Sequence, residues 1–160
     1  MKIYRALLLL GLALLAVTAT AQDITFKDTQ GNTLRLADYR GKWVLVNFWA
    51  TWCPPCEQET PDLVEMHNAH KNSDLVVVGV ALDSTRASVA EFAAKYKISY
   101  PLVIGSYTLA EAQVGPVSAL PTSYLYDPTG KLVSYQEGMV TRGEVETYLF
   151  LKNKKATEGK

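Results

Sequence analysis

Two cysteines, Cys53 and Cys56, are the only ones in the 160-residue chain, and Pro54 and Pro55 separate them. They follow the apolar run Trp43-Val44-Leu45-Val46-Asn47-Phe48-Trp49 and precede an amphipathic segment from Glu57 to about Asn68. A strand that stops where Cys-x-x-Cys begins, with a helix starting on the first cysteine, suits thiol–disulfide exchange. The helix N-terminus offers unpaired N–H groups and a positive dipole end, and both favour thiolate over thiol. Exchange needs an accessible thiolate, a second thiol to resolve the mixed disulfide, and a group to manage protons. Cys53 is expected at the exposed helix entry as the attacking thiolate. Cys56 falls one turn inside, as a buried resolving thiol. Pro54 and Pro55 suit the first helical turn, where missing donors cost little, and they stiffen the loop between the sulfurs.

Glu59 lies three residues after Cys56, so on a helix its carboxylate projects from the same face as that thiol. A partly buried carboxylate there would take the Cys56 proton as the disulfide forms, with its own pKa raised by desolvation. The alternative is a solvated first-turn acid favoured by the dipole, a description that fits Glu57 better. The cysteines themselves have a second reading, a tight and inert structural disulfide. That reading leaves Trp52, the strand-to-helix position and a later proline without a role. A metal site is a third reading, since His67 and His70 follow. A Cys/His zinc module places about 12 residues between its pairs and 3–5 between its histidines. Here 10 residues separate Cys56 from His67 and two separate the histidines. Four ligands strung along one helix cannot converge on one ion, so the histidines are expected on a solvated helix face and no metal or other cofactor is called for. Trp49 is expected in the core. Trp52, partly exposed beside Cys53, would form an apolar platform for a partner peptide.

The elements that must position these groups follow from periodicity. Ile24-Thr25-Phe26 and Leu34-Arg35-Leu36 alternate around Asp28-Thr29-Gln30-Gly31-Asn32 and predict a short β-hairpin. Ala37 to Lys42 is a turn region. Trp43–Trp49 and Leu75–Leu82 are nearly continuous apolar runs, as in strands buried on both faces. Cys53 to about Asn72 predicts a helix with Leu63, Met66 and Ala69 inward and a kink at Pro61. Thr85 to Tyr96 is amphipathic, with Ser84 or Thr85 as its cap. Leu102 to Ile104 is a short strand, and Leu109 to Val114 a helical turn. Ser123 to Tyr126 and Leu132 to Gln136 flank the turn Asp127-Pro128-Thr129-Gly130 as an antiparallel pair. A last helix runs from Thr141 to about Lys152. The order predicts an α/β domain with a central mixed sheet flanked by helices and an N-terminal β-hairpin. Its Cys-x-x-Cys falls at the C-terminal end of a parallel strand, where open α/β sheets place their sites.

The N-terminus reads differently. Lys2 and Arg5 precede the apolar stretch Ala6 to Val17, and Ala19-Thr20-Ala21 has the small-x-small form of a cleavage site. The pattern is that of a secretory signal peptide cut after Ala21; an uncleaved membrane anchor is the alternative, although the apolar run falls short of the roughly 20 residues that span a bilayer. The organisation is thus residues 1–21 as signal peptide, 22–152 as one domain, and 153–160 as a flexible polar tail. The full chain carries 16 Lys+Arg and 16 Asp+Glu. That balance leaves no electrostatic footprint for nucleic acid.

The run Val46-Asn47-Phe48-Trp49-Ala50-Thr51-Trp52-Cys53-Pro54-Pro55-Cys56, with Glu59 and Pro61, closely resembles the TlpA/ResA/DsbE-like group of exported thioredoxin-fold proteins. Gly41-Lys42, Tyr100-Pro101, Leu120-Pro121-Thr122 and Tyr124 to Lys131 agree with it, so the resemblance covers about residues 24–150. It implies that Pro121 is a cis-proline facing the active site, and that Leu120 offers backbone hydrogen bonds to an extended substrate. With Trp52, Pro54 and Pro55, these two complete the candidate substrate-binding set; Cys53, Cys56 and Glu59 are the candidate catalytic set. Ordinary thioredoxins carry a buried Asp at the strand position of Asn47, and its replacement moves the acid role toward Glu59. The resemblance further implies a dedicated reductant of disulfide-containing exported proteins in the periplasm or another extracytoplasmic space. A membrane-embedded thiol donor would keep it reduced, with cytochrome c maturation among the roles of such proteins. The direction of exchange is open at this point: a disulfide oxidase or isomerase of the same fold, or a non-catalytic binding module with a structural disulfide, are the rival readings. A peroxidase would set its cysteine in Pro-x-x-x-Thr-x-x-Cys, which is absent around Cys53.

Overall fold

The computed structural model describes residues 24–82 and 84–158. The expected signal peptide lies outside the described residues. Among those described, no helix is long and apolar enough to cross a membrane.

Five strands form one mixed sheet in the order β5-β4-β3-β6-β7. They are β3 (Trp43–Trp49), β4 (Leu75–Leu82), β5 (Leu102–Gly105), β6 (Thr122–Tyr126) and β7 (Leu132–Glu137). β3, β4 and β5 run parallel, while β6 is antiparallel to both β3 and β7. Every residue of β3 and β4 is buried, which is why those two segments are apolar without alternation. The predicted hairpin is β1 (Thr25–Lys27) paired with β2 (Thr33–Arg35), and a 3₁₀ turn, Leu36–Tyr39, follows it. An antiparallel bridge from Asp28 to Val103 ties the hairpin to the β5 edge.

The pleat divides the core in two. Leu45, Trp49, Val77, Ala81 and Leu125 meet Leu63 and Met66 of α1 (Pro54–His70), Val89 and Phe92 of α2 (Arg86–Tyr96), and Val145 and Leu149 of α4 (Arg142–Glu158). On the other face, Val44, Val46, Phe48, Val78 and Val80 meet the hairpin side chains Phe26 and Leu34, together with Ala110 of α3 (Tyr107–Gln113). Burying each large aliphatic side chain contributes about 1.5–3 kcal/mol, so the two faces together hold the sheet between its covers. The capping also follows the sequence: Thr85 accepts from Ser88 N–H at 3.1 Å, and Ser88 returns the bond in a capping box.

Three local expectations change. α1 continues through Pro61 to His70, and its inner face is Leu63, Met66 and His67, with Ala69 exposed. Position 67 therefore falls on the buried stripe, not on a solvated face. α4 extends to Glu158, so residues 153–158, expected as a flexible tail, continue the helix. Asn153 is held there by the Trp43 indole N–H at 3.3 Å, and Lys154 pairs with Glu158 one turn on.

Candidate functional site

The site is built where β3 ends. Cys53 takes an extended conformation, φ −97° and ψ 107°, and acts as the N-cap of α1. Its sulfur accepts the Cys56 N–H at 3.3 Å. Pro54 and Pro55 occupy the first two helical positions, where no backbone donor is needed. Cys53 and Cys56 form a disulfide with their Cα atoms 5.3 Å apart. The Thr51 N–H donates to the Ser84 hydroxyl at 3.3 Å, fastening the approach to the helix against the start of α2.

Cys53 is not the exposed thiol anticipated from its position at the helix entry. Only 5% of it is accessible, and Cys56 is fully buried. Both cysteines belong to the apolar cluster with Trp49, Ala50 and Phe92, so side chains from β3 and α2 cover them. Exposure passes instead to their neighbours: Trp52 is 60% accessible, and Pro54 and Pro55 are exposed.

Glu59 lies on the inward face of α1 and is 4% accessible. Its Oε1 accepts the Asn47 amide N–H at 2.8 Å and its Oε2 accepts the Val140 backbone N–H at 3.1 Å. Burial pushes its pKa up to about 7, and the Val140 and Asn47 bonds hold back part of that rise. Such a carboxyl can take or give a proton near neutral pH. Glu57 behaves as the contrasting first-turn acid. It pairs with Lys95 at 2.7 Å and accepts the Tyr96 hydroxyl, and hydrogen bonds from those two groups hold its pKa low.

The Leu120–Pro121 peptide is cis. Leu120 is half-buried between the two core clusters, and the Thr122 hydroxyl donates to Ala119 O at 2.8 Å just beyond it. The structure adds a segment that the sequence reading did not single out, Gly138 to Val140. The Gly138 N–H donates to Pro121 O at 2.8 Å, and Val140 reaches Glu59. Gly138 sits at φ +88°, a conformation that favours glycine. That glycine before an apolar pair was the one available signal.

The histidines each have protein partners. His67 accepts the Val77 N–H at 3.3 Å and packs edge-on to Tyr100; burial lowers its pKa to about 4. His70 spans Asp74 and Glu146, each at 2.9 Å, and links α1 to α4.

A mixed sheet, a cis-proline before β6 and a helix-capping Cys-x-x-Cys disulfide at the end of β3 define a thioredoxin-fold thiol-disulfide oxidoreductase. A family model described as the AhpC/TSA family matches residues 17–135, and the chain belongs to that family. Thiol-disulfide oxidoreductase ResA of Geobacillus kaustophilus is 37% identical over 136 residues, which cover 84% of this chain and 76% of that protein. Among solved structures, a DsbF homologue from Corynebacterium diphtheriae is 27% identical with a TM-score of 0.73, covering 80% of this chain and 83% of the other. A secreted thiol-disulfide isomerase from Corynebacterium glutamicum is 25% identical with a TM-score of 0.71, covering 77% and 78%.

Proposed function

We propose that this oxidoreductase works outside the cytoplasm as a reductase of disulfides in exported proteins, with residues 1–21 serving as its cleaved signal peptide. The observation that carries the reading is Glu59: a buried carboxyl with a pKa of about 7, on the helix that begins at the Cys53–Cys56 disulfide. An inert structural disulfide has no use for a buried carboxyl of that kind, whereas a dithiol that must lose and regain protons does.

The Cys53 thiolate attacks one sulfur of a substrate disulfide, forming a mixed disulfide and releasing the first substrate thiolate. Glu59 takes the proton of the Cys56 thiol. The Cys56 thiolate then attacks the Cys53 sulfur, closes the intramolecular disulfide and releases the second substrate thiolate. Two electrons pass from the dithiol to the two substrate sulfurs. A membrane-embedded thiol donor returns two electrons to the pair. Trp52, Pro54 and Pro55 offer an apolar face to the substrate, and the Leu120 backbone beside cis-Pro121 offers it hydrogen bonds. Apocytochrome c, whose haem-binding cysteines must be reduced, is one substrate of suitable chemistry.

The likeness to a secreted isomerase supports a second reading, in which the same pair shuffles or introduces disulfides. Direction follows from the reduction potential, where about 30 mV is roughly 1.4 kcal/mol for this two-electron couple. Equilibration against glutathione buffers separates the two: a potential well below the glutathione couple supports the reductase, and one well above it overturns that reading. Cys56→Ser, which cannot resolve the mixed disulfide, is expected to hold substrates covalently on Cys53. A reactive Cys53 that captures no partner would refute exchange.

A further inference from the structure

Asn47 and Ser123 are direct cross-strand partners in the antiparallel β3–β6 register, so their side chains stand on the same face of the sheet. That face carries Leu45, Trp49 and Leu125 toward α1 and α4, and both polar residues are buried in it. A buried polar pair among apolar neighbours costs free energy unless each member is hydrogen-bonded. Here the Asn47 amide uses both hydrogens. One goes to Glu59 Oε1 at 2.8 Å and the other to the Ser123 hydroxyl oxygen at 3.1 Å. Ser123 in turn lines a cavity of about 240 Å³ between the sheet and α4, shared with Ser134, Gln136, Val140 and Glu144.

We propose that Asn47 and Ser123 are positioning residues for Glu59, a cross-strand clamp that holds its carboxylate in place and sets the pH at which it exchanges its proton. The inference rests on Glu59 being the proton acceptor for Cys56. Four features make the clamp more than packing. The Asn47 amide offers only N–H groups toward Glu59, so it favours the charged carboxylate over the neutral acid. Its second N–H goes to the Ser123 hydroxyl oxygen, and a flipped amide would turn its own oxygen toward the charged carboxylate, so the amide keeps this orientation while Glu59 is ionised. The Val140 N–H fixes the other carboxylate oxygen from the loop before α4, so Glu59 is gripped from the sheet and from that loop. The ionisable groups around it do not substitute for the clamp. Tyr100 is buried and held neutral, Cys53 and Cys56 are joined in the disulfide, and Glu144 is engaged at the α4 N-terminus with Thr141.

The test uses the full-length protein with Asn47→Leu, Ser123→Ala, Ser123→Thr and Glu59→Gln. Carboxyl-carbon NMR reads the Glu59 midpoint, and the pH profile of reaction with oxidised glutathione reads its effect on exchange. Loss of a charge-assisted bond in Asn47→Leu is expected to raise the midpoint by about one unit or more. Ser123→Ala is expected to move it in the same direction by less, and Ser123→Thr, which keeps the hydroxyl, to restore the parent value. The inflection in the exchange profile is expected to move with the midpoint. Midpoints unchanged in both Asn47→Leu and Ser123→Ala would overturn the clamp, and a shift in Asn47→Leu alone would remove Ser123 from it. Glu59→Gln separates this from the underlying reading. An exchange profile untouched by Glu59→Gln refutes the proton role of Glu59 itself. A profile that loses its inflection in Glu59→Gln but keeps it in place in the clamp variants refutes only the clamp.

Discussion

The Val140 backbone N–H donates to Glu59 Oε2 at 3.1 Å across 81 residues of sequence. This bond joins the helix that begins at the disulfide to the loop that also holds cis-Pro121 through Gly138. The carboxyl proposed to handle the proton and the peptide proposed to dock the substrate are thereby parts of one hydrogen-bonded unit.

Glu59→Gln follows from that burial. In the folded chain the carboxyl keeps its proton up to about 7, against an ordinary value of 4.5. The folded state therefore binds more protons than the unfolded one between those values. The stability this contributes is fully present below 4.5 and is lost as pH rises through about 7. Denaturant melts at about pH 5 and about pH 8 are expected to show Gln gaining on the parent at the higher pH, by an amount on the order of a few kcal/mol. A pH-independent difference would contradict the burial.

The two histidines predict opposite slopes. His67, lowered to about 4 from 6.5 by burial and then by Lys71 and Lys42, stays neutral while the unfolded chain takes up a proton. Its contribution is present above 6.5 and is lost as pH falls toward 4. At His70 burial works downward, but hydrogen bonds to Asp74 and Glu146 prevail and raise its pKa. That contribution is fully present below 6.5 and disappears as pH rises through the folded value. His70→Ala is expected to lower stability by up to about 1 kcal/mol in mild acid and by less in alkali. His67→Gln is expected to remove part of the acid lability. Thermal melts across this pH range check both.

Gly79 lies at the centre of β4, opposite Asn47 in the parallel register. A Cβ there would stand 2.8 Å from Leu102 Cδ2, 2.9 Å from Tyr100 Cε2 and 3.0 Å from Trp49 Nε1. All three belong to well-packed side chains, so Gly79→Ala is expected to cost about 1–3 kcal/mol. Equilibrium unfolding measures it directly, and a neutral result would show the neighbours free to withdraw.

Trp52 is exposed beside a buried disulfide, so the docking role proposed for it can be tested apart from folding. Trp52→Ala is expected to leave stability within about 0.5 kcal/mol. The same change is expected to lower kcat/KM for a protein disulfide several-fold and to spare a small disulfide. Equal loss with both substrates would place the indole's effect on the thiols instead of on docking.

What the sequence determined by itself is local. The run Trp43–Trp49 reads as a buried strand because it is nearly all apolar, and the Cys-Pro-Pro-Cys entry reads as a helix start because proline suits the first turn best. Spacing of three put Glu59 on the Cys56 side of that helix, and position on the helix separated it from the first-turn acid Glu57. The tertiary structure decided what lies between elements distant in the chain. Asn47 meets Ser123 only because β3 and β6 pair in one register and not its neighbour, where a one-residue slip of β6 would place the two side chains on opposite faces. Val140 meets Glu59 only because α4 packs beside α1 on the same face of the sheet. His67 proved to be core and Cys53 nearly inaccessible for the same reason: burial depends on what covers a residue, and the covering elements arrive from elsewhere in the chain. The Cys-x-x-Cys therefore announced the chemistry, while burial by elements distant in the chain holds one carboxyl protonated up to about 7, against the opposing pull of the Val140 and Asn47 bonds.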